Sequence, residues 1–322
     1  MRLGIDLGGT KIEVIALHDN GKELLRRRVP TPQGNYYETL QAIAQLVRDA
    51  EAELGERGSV GIGTPGALSR ATGRLKNSNS VVLNGQPILQ DLEALLQRKV
   101  SIANDANCFA LSEAVDGAAV GAAVVFGVIL GTGVGAGIVV NGHILNGPNG
   151  IAGEWGHNPL PWPEPYELPG PRCYCGKHGC IETFLSGPGM VQLHHESVRA
   201  VPYDVAQDRS FEAWTDSEPL TGSGRMALSS PAEIVQRAAQ GDAACERSLQ
   251  VYENRLARSL AHVINILDPD VIVLGGGMSN IERLYMNVPR LWGEWVFSDR
   301  VDTKLVRNLF GDSSGVRGAA WL

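Results

Sequence analysis

Residues 3–17 have the sequence LGIDLGGTKIEVIAL, in which two apolar runs flank a turn at Gly8 and Gly9. Apolar runs separated by a glycine turn predict a β-hairpin. Residues 124–140, with the sequence VVFGVILGTGVGAGIVV, repeat this order of strand, glycine turn and strand. The repetition suggests one ancestral unit used twice, with each copy directing a glycine turn at a shared ligand.

The rest of the chain alternates helix-like and strand-like segments. The apolar spacing predicts helices over 37–54, 89–97, 108–115, 246–267 and 314–322, and strands over 60–63, 100–103 and 271–274. This alternation predicts an α/β fold with mostly parallel strand pairing. Two stretches break the pattern, because 161–171 is rich in proline and 202–231 is polar, as in a surface excursion or loop.

Length and charge narrow the class of protein. The chain has 322 residues, enough for two domains, and a net charge of −7, which argues against a nucleic-acid binder with its basic patch. The sequence shows neither a signal-peptide pattern nor an apolar stretch of transmembrane length. Cys108 and Cys245 are predicted to be buried or half-buried thiols in a reducing compartment. We therefore expect a cytoplasmic protein without a nucleic-acid or membrane partner.

The glycine turns are candidate phosphate-binding sites. Glycine lets successive backbone N–H groups approach an anion, and Asp6, at the end of the preceding strand, is placed to hold magnesium through water. The chain lacks the Gly-x-x-x-x-Gly-Lys-Ser/Thr pattern of a P-loop, and a tight hairpin alone would also explain the first turn. Residues 131–133 would form a second phosphate loop and residues 275–277 a third backbone surface. Three such turns, each closing an apolar strand, favour ligand binding over turn formation alone.

Asp105 is the strongest candidate for catalysis. It follows a predicted strand within the segment ANDAN, residues 103–107, and loops at strand ends in α/β folds form ligand crevices. A single aspartate in a polar loop can also be a helix cap or a turn residue. Beside two phosphate-type loops, a general base that accepts the proton of a substrate hydroxyl is the better interpretation.

Four residues form a complete set of zinc ligands. They are His157, Cys173, Cys175 and Cys180, and the glycines of the segment CYCGKHGC, residues 173–180, let the chain wrap around one point. A closed set of three cysteines and one histidine indicates a structural metal rather than one that carries a reactive water.

Two carboxylates lie next to the cysteine and histidine set in sequence. Glu154 precedes His157 by three residues, and Glu182 follows the last cysteine by two. A metal bound here would fix both carboxylates in space. It would also bind one ring nitrogen of His157 and leave the other free for a substrate hydroxyl.

Together these residues resemble the ROK family, which comprises bacterial sugar kinases and related repressors of the actin-like ATPase superfamily. The likeness covers nearly the whole chain. The segments that carry it are Asp6-x-Gly8-Gly9-Thr10-Lys11, Gly63-Thr-Pro65-Gly66, Asn104-Asp105-Ala106-Asn107, Gly131-Thr-Gly133-x-Gly135-x-Gly137, Gly153-Glu154-x-x-His157, Cys173-x-Cys175-Gly-x-x-Gly-Cys180-x-Glu182 and Gly275-Gly-Gly277.

The resemblance implies a fold and an assembly. The fold would be the two-domain, ribonuclease H-like fold of actin-like ATPases, with a cleft between the domains. We expect residues 1–112 to form the first domain, joined by a returning helix over 313–322. Residues 113–312 would form the larger second domain, which carries the zinc site. The resemblance also suggests a homodimer.

The resemblance also implies a role for each site residue. Asp105 would take the proton from the sugar 6-hydroxyl, with Mg²⁺ bound alongside ATP. The implied sugar-binding residues are Gly66, Asn79, Asn104, Asp105, Glu154, His157 and Glu182. The implied nucleotide-binding residues are Asp6, Gly8, Gly9, Thr10, Lys11, Gly131, Thr132, Gly133, Gly275, Gly276 and Gly277. Structural zinc would bind His157, Cys173, Cys175 and Cys180.

The identity of the sugar depends on a closer likeness to bacterial fructokinases of the manno(fructo)kinase type. The segments that carry it are Asn77-Ser-Asn79-Ser, Asn84-Gly-Gln-Pro87, His157-Asn-Pro-Leu-Pro-Trp162 and residues 312–321. This likeness implies phosphorylation of D-fructose to fructose 6-phosphate. The alternative is a kinase for mannose, glucose, N-acetylglucosamine or N-acetylmannosamine. A sugar-responsive repressor would need a DNA-binding domain ahead of the first strand, and a zinc-finger-like module would leave the glycine turns and Asp105 unexplained.

Overall fold

The computed structural model describes residues 1–78, 80–199 and 228–322, so most of the polar stretch 202–231 lies outside the described residues. The strands are β1 (Arg2–Leu7), β2 (Lys11–Leu17), β3 (Glu23–Pro30), β4 (Ser59–Thr64), β5 (Ala67–Leu68), β6 (Leu75–Lys76), β7 (Ser101–Asn104), β8 (Val124–Leu130), β9 (Val134–Val140), β10 (His143–Ile144), β11 (Val271–Gly275) and β12 (Lys304–Arg307). The helices are α1 (Tyr36–Leu54), α2 (Ile88–Leu96), α3 (Asp105–Val115), α4 (Ile181–Leu185), α5 (Gly187–Arg199), α6 (Pro231–Ala239), α7 (Ala243–Leu267), α8 (Leu284–Leu291) and α9 (Ser314–Ala320).

The first sheet has the strand order β3-β2-β1-β4-β7. β1 and β2 form the predicted antiparallel hairpin, and β4 and β7 extend the sheet in parallel. Helix α1 begins where the side chain of Asn35 accepts the backbone N–H of Glu38, and it ends at Gly55, whose φ of 67° suits glycine. Its apolar face, which includes Leu40 and Ile43, packs into the core of this sheet.

The second sheet repeats this topology with the order β10-β9-β8-β11-β12. β8 and β9 form the second predicted hairpin, and β11 and β12 run parallel to β8. Helix α7 begins at Asp242, whose carboxylate accepts two backbone N–H groups, and ends at Asp268 in the left-handed region. Leu249, Leu256 and Leu260 of α7 are buried in the core of this half.

Two helices connect the sheets at close range. A Cβ added at Gly318 of α9 would lie 1.6 Å from the carbonyl oxygen of Cys108 in α3. α9 also packs on the first sheet, because a Cβ at Gly4 would lie 2.2 Å from the carbonyl oxygen of Val316. α3 packs on the second sheet, where a Cβ at Gly127 would lie 2.7 Å from the Ala110 side chain. Glycine at these positions lets backbone pack directly against backbone.

The predicted helices and strands are found within a few residues of the expected bounds, and the α/β class is confirmed. The prediction of mostly parallel pairing is wrong. Within the described residues each five-stranded sheet has two antiparallel and two parallel pairings, because each hairpin is extended by a third antiparallel strand. In the proline-rich stretch, residues 165–167 form one turn of 3₁₀ helix. None of the described helices combines the length and apolar character needed to cross a bilayer.

In the C-terminal helix α9, Val316 and Ala320 pack against Ile15 and Leu17 of the first sheet. The proposed boundary at residue 112 falls inside α3, which bridges the two halves. The division into domains 1–112 and 113–312 stays a prediction. Cys108 and Cys245 are buried free thiols, as predicted.

Candidate functional site

The first glycine turn lies between β1 and β2, next to an acidic group of side chains. The backbone N–H of Gly8 donates to the carbonyl oxygen of Lys11 at 3.0 Å, and Thr31 donates its hydroxyl to the Gly8 carbonyl at 2.7 Å. Asp6 pairs across the hairpin with Glu13. Desolvation, with the charges of Asp105 and Glu13, raises the pKa of Asp6 to about 6. The turn is therefore closed by its own hydrogen bonds and lies beside closely spaced carboxylates.

Asp105 is the first residue of α3, directly after β7. Asn104 is the helix cap: its side-chain oxygen accepts the N–H of Ala106 at 2.9 Å, and its amide donates to the carbonyl oxygen of Gly66 at 3.0 Å. Since Asn104 caps the helix, the alternative of Asp105 as the cap is not needed, although its Oδ1 also accepts the Ala106 N–H at 2.8 Å. This places the carboxylate at the edge of the first sheet, beside the turn that carries Gly66.

The environment of Asp105 favours the proton-bound carboxyl. Its side chain is exposed, yet neighbouring protein atoms partly desolvate the carboxyl group. The resulting desolvation, opposed in part by the Ala106 N–H and reinforced by the charge of Glu154, raises the pKa of Asp105. A carboxylate with a raised pKa is a stronger proton acceptor than an ordinary one. The charge of Asp105 also acts on Asp6, so the two carboxylates share one neighbourhood.

A cavity of about 190 Å³ lies between the two halves near Asp105. Asn104 and Asn107 line it from the first half, and Asn146 and Glu154 line it from the second. The Oδ1 atom of Asn107 is buried without a protein hydrogen-bond partner among the described residues. Such an atom favours a polar ligand or water in the cavity. Sequence reasoning gave Asn107 and Asn146 no role, although the spacing of Asn107 from Asn104 places both on one side of the first helical turn.

Other predicted sugar-site residues occupy distinct positions. Gly66 has a φ of 84°, and a Cβ there would lie 2.3 Å from the carbonyl oxygen of Lys76, so glycine is required at this turn. Asn79 lies outside the described residues. A larger cavity of about 1020 Å³, lined by residues 118–123 and 296–304 among others, contains none of the predicted site residues.

The four predicted zinc ligands converge. One ligand atom from each of His157, Cys173, Cys175 and Cys180 lies within 4.8 Å of the other three. The Cys175 and Cys180 sulfurs are 3.6 Å apart, and Cys173 Sγ is 3.5 Å from Nδ1 of His157. Ligand pairs around tetrahedral zinc are separated by about 3.5–3.8 Å for bond lengths of about 2.0–2.3 Å. The donor set and its spacing therefore fit a zinc ion.

The second ring nitrogen of His157 is not free, contrary to the sequence-based expectation. Its Nε2 lies 2.9 Å from the hydroxyl of Tyr174, and the two rings pack edge to face with centroids 5.0 Å apart. Desolvation and the charges around it, with Glu182 the largest of these, raise the pKa of the Tyr174 phenol to about 12. Sequence reasoning assigned no role to Tyr174, and its position between two cysteines of the cluster was the available signal.

Glu182 connects the cysteine cluster to the second glycine turn. It lies in α4, two residues after Cys180, and its Oε2 accepts the backbone N–H of Val134 at 2.9 Å. A Cβ at Gly133 would lie 2.7 Å from the same oxygen. A side chain at position 133 would therefore displace this carboxylate from its hydrogen bond. A movement of the cluster would be transmitted through Glu182 to the turn.

The second and third glycine turns lie on one cavity of about 690 Å³. Gly131, Thr132 and Gly277 line it, together with residues 229–232. Gly276 has a φ of 76°, and a Cβ there would lie 2.4 Å from the carbonyl oxygen of Leu130. The third turn therefore packs directly on the backbone at the end of β8, next to the second turn. The volume and the exposed backbone suit a ligand larger than a phosphate ion.

The structure thus brings most predicted residues into two adjoining groups. Asp6, Gly8, Asp105 and Glu154 belong to a group linked by charge and by neighbouring strands. Gly131, Thr132 and Gly277 form the second, and Glu182 joins it to the cluster. Gly9, Thr10 and Lys11 lie exposed at the first turn, Gly275 is buried at the end of β11, and Gly276 packs on the backbone of β8.

Known proteins resemble this chain over nearly its full length. The chain is 38% identical over 328 residues to the N-acetyl-D-glucosamine kinase of Shigella flexneri, covering 100% of this chain and 99% of that relative. The ROK hexokinase of Thermus thermophilus superposes with a TM-score of 0.80 at 30% identity, covering 99% of this chain and 96% of that one. The ROK glucokinase of Streptomyces griseus, solved with glucose and AMPPNP, superposes with a TM-score of 0.72 at 25% identity, covering 99% and 97%.

These superpositions extend over nearly the full length of each chain, so they relate both sheets and the helices between them. The chain accordingly has the predicted actin-like ATPase fold. The family model described as ROK family matches residues 2–322. With this match and the relatives of 30% identity and above, the chain belongs to the ROK family.

Proposed function

We propose that this protein is an ATP-dependent sugar kinase that phosphorylates the 6-hydroxyl of a hexose. The observation that carries the proposal is the position of Asp105. It stands at the start of α3, its charge acts on Asp6 beside the first glycine turn, and Glu154 from the other half acts on it in turn. A base between an anion-binding turn and a polar cavity is what phosphoryl transfer to an alcohol requires.

The nucleotide is assigned to the glycine turns. The cavity lined by Gly131, Thr132 and Gly277 would take the adenosine and the inner phosphates. The first turn, in which Gly9, Thr10 and Lys11 are exposed, would face the outer phosphates. Asp6 offers an oxygen ligand of the kind that Mg²⁺ prefers, and a bound Mg²⁺ ion would neutralise charge on the transferred phosphate. This assignment leaves Asp105 next to the end of the phosphate chain.

The transfer itself needs positioning more than covalent help. Asp105 would orient the attacking hydroxyl and accept its proton late in the reaction. Its raised pKa makes it a better acceptor. Because Asp105 is exposed here, closure of the two halves over the cleft would have to exclude the water that could otherwise hydrolyse ATP.

The sugar is assigned to the residues between Asp105 and the cysteine cluster. Asn104 and Glu154 line the cavity between the halves. The carbonyl oxygen of Gly66 accepts a hydrogen bond from the Asn104 side-chain amide. Glu182 and His157 are held from the other side by the backbone of β9 and by the cluster. Zinc on His157, Cys173, Cys175 and Cys180 would supply structural rigidity rather than reactive water, since all four ligand positions come from the protein.

Two sugars are the leading candidate substrates, and a different observation supports each of them. Relatives of 36–38% identity over the whole chain are N-acetyl-D-glucosamine kinases, which supports an acetamido sugar. The segments around residues 77–87 and 157–162 resemble fructokinases of the manno(fructo)kinase type, which supports D-fructose. Both sugars carry a primary 6-hydroxyl, so the same chemistry serves either. The homodimer and the domain division remain predictions.

A coupled ADP-release assay over a sugar panel tests the proposal. The panel contains D-fructose, N-acetyl-D-glucosamine, N-acetyl-D-mannosamine, D-mannose and D-glucose, with the 6-deoxy form of each active sugar as matched control. We expect ADP release with at least one sugar and none above background with its 6-deoxy analogue, and phosphorus NMR should find a 6-phosphate. ATP hydrolysis that is independent of every sugar, or a product phosphorylated elsewhere, would refute the proposal.

A further inference from the structure

Tyr174 is an exposed aromatic residue at an unusual place. Its side chain is 83% exposed, although the neighbouring Cys173 is buried. The hydroxyl lies 2.9 Å from Nε2 of His157, and the rings stand at 86° to each other. Exposed tyrosines normally extend into water without a fixed partner, whereas this one is held against a residue of the candidate sugar site.

The charges around Tyr174 are those of the same site. Glu182 and Glu154 both act electrostatically on its phenol. Glu182 is anchored by the backbone N–H of Val134, and Glu154 lines the cavity between the two halves. A phenol can donate and accept a hydrogen bond, and its ring offers an apolar surface, so it combines the two features that sugar recognition uses.

We propose that Tyr174 determines which sugar the site accepts, an inference that rests on the proposed function. Its hydroxyl fixes the orientation of the His157 ring by binding Nε2, while Nδ1 faces Cys173. Its ring, packed edge to face on His157, fills space beside that nitrogen. While Tyr174 occupies Nε2, it limits the space and the hydrogen bonds that His157 offers to a substrate. We expect an acetamido group to be tolerated less well there than a hydroxyl, which would favour fructose over N-acetyl-D-glucosamine.

Two substitutions separate the hydroxyl from the ring. Tyr174→Phe removes the bond to His157 and should raise KM for the preferred sugar about 3- to 10-fold, with kcat and KM for ATP unchanged. Tyr174→Ala also removes the ring and should raise the ratio of kcat/KM for N-acetyl-D-glucosamine to that for fructose about 10-fold or more. Tyr37→Phe and Tyr37→Ala, at a residue that is 75% exposed on α1, are the matched controls.

Three further readouts distinguish specificity from a structural role. Zinc content, melting temperature and the dissociation constants of both sugars by calorimetry are measured on the same preparations. Unchanged zinc content with a changed sugar ratio supports the proposal. An unchanged ratio in Tyr174→Ala, or a change that follows zinc loss in Tyr174→Phe, overturns it. If the unsubstituted protein neither binds nor phosphorylates any sugar, the proposed function fails as well; if it acts on a sugar and only the ratios stay constant, this inference fails alone.

Discussion

The two sheets share one strand order, yet their glycine turns carry different surroundings. The turn between β1 and β2 lies beside its own carboxylates, Asp6 and Glu13, and close to Asp105 at the end of β7. The turn between β8 and β9 receives its carboxylate from outside the sheet, because Glu182 of α4 bonds to Val134. The first turn is thus surrounded by closely spaced acids, whereas the second is tied by a hydrogen bond to the cysteine cluster.

This difference suggests that the two halves, which share one strand order, have different roles in the reaction. Asp6 and Asp105 have raised pKa values, chiefly because the protein desolvates them, and such groups are typical of reacting centres. Glu182 instead accepts the backbone N–H of Val134 from a distant strand, so it ties two segments together and fixes geometry. We infer that the first half contributes the chemistry and the second half holds the ligands in position.

The largest expected effect is the loss of the base. Asp105→Asn keeps the shape of the side chain and removes its ability to accept a proton, so we expect kcat to fall about 10³-fold or more while the sugar and ATP dissociation constants change little. Glu182→Gln is the matched carboxylate in the second half and should raise KM for the sugar with a much smaller change in kcat. Steady-state kinetics and calorimetry on both variants make the comparison. Equal losses of kcat in the two variants would contradict the inference that the first half carries the chemistry and the second positions the ligands.

The next effect concerns the joint between the halves. Gly318→Ala places a methyl group 1.6 Å from the carbonyl oxygen of Cys108, so α3 and α9 must separate. We expect a loss of about 3 kcal/mol or more in unfolding free energy, since overpacking of a tight contact commonly costs about 1–3 kcal/mol. Gly315→Ala, in the same helix with nothing within 4 Å of the added methyl, is the control and should be neutral or slightly stabilising. Denaturant unfolding of both proteins measures the difference, and equal stabilities would show that the crossing tolerates a side chain.

The connection from the cluster to the second turn predicts the effect of metal loss. Cys175→Ser, or removal of the metal by a chelator, should raise the dissociation constant for the sugar about 10- to 100-fold, because loss of groups that orient ligands typically costs that much. ATP binding should weaken less, because only one of the two turns assigned to ATP, the second, is tied to the cluster through the bond from Val134 to Glu182. Cys245→Ser, at a buried cysteine outside the cluster, is the control. Full sugar affinity in a zinc-free protein would separate the cluster from the sugar site.

The sequence predicted the two hairpins, the main helices and the convergence of the four zinc ligands, because each leaves a local pattern of apolar spacing, glycine or cysteine. It did not predict the third antiparallel strand of each sheet, since β3 carries three consecutive arginines and β10 has only two residues. It also missed the contact of Tyr174 with His157 and the bond from Glu182 to Val134. These depend on how distant segments fold over one another, and a single sequence carries no local pattern for such contacts.

The smallest predicted effect tests whether the ionised Asp6 side chain destabilises the folded protein. Its pKa is raised from 3.8 to about 6, so the folded protein binds a proton here more tightly than the unfolded chain does. The protonated Asp6 carboxyl therefore stabilises the fold fully below pH 4, and this stabilisation is lost as the pH rises through 6. The free energy of unfolding should fall by on the order of 2–3 kcal/mol over that range. Asp6→Asn should remove this cost and lose kinase activity. The exposed Asp299 provides the control variant Asp299→Asn.

Melting curves between pH 4 and pH 8, recorded without nucleotide or Mg²⁺, should show Asp6→Asn to be a few degrees more stable than the unsubstituted protein at pH 7.5 and equal to it near pH 4. Asp299→Asn should show no such trend. The gain at neutral pH, paired with lost activity, is the pattern of a residue kept for function at the expense of stability. A variant that is less stable at pH 7.5 would mean that the charge of Asp6 is compensated by neighbours such as Lys11 and Arg28, which lower its pKa. The negative charges around the first turn would then be compensated by nearby positive side chains, and the proposed difference between the two turns would not hold.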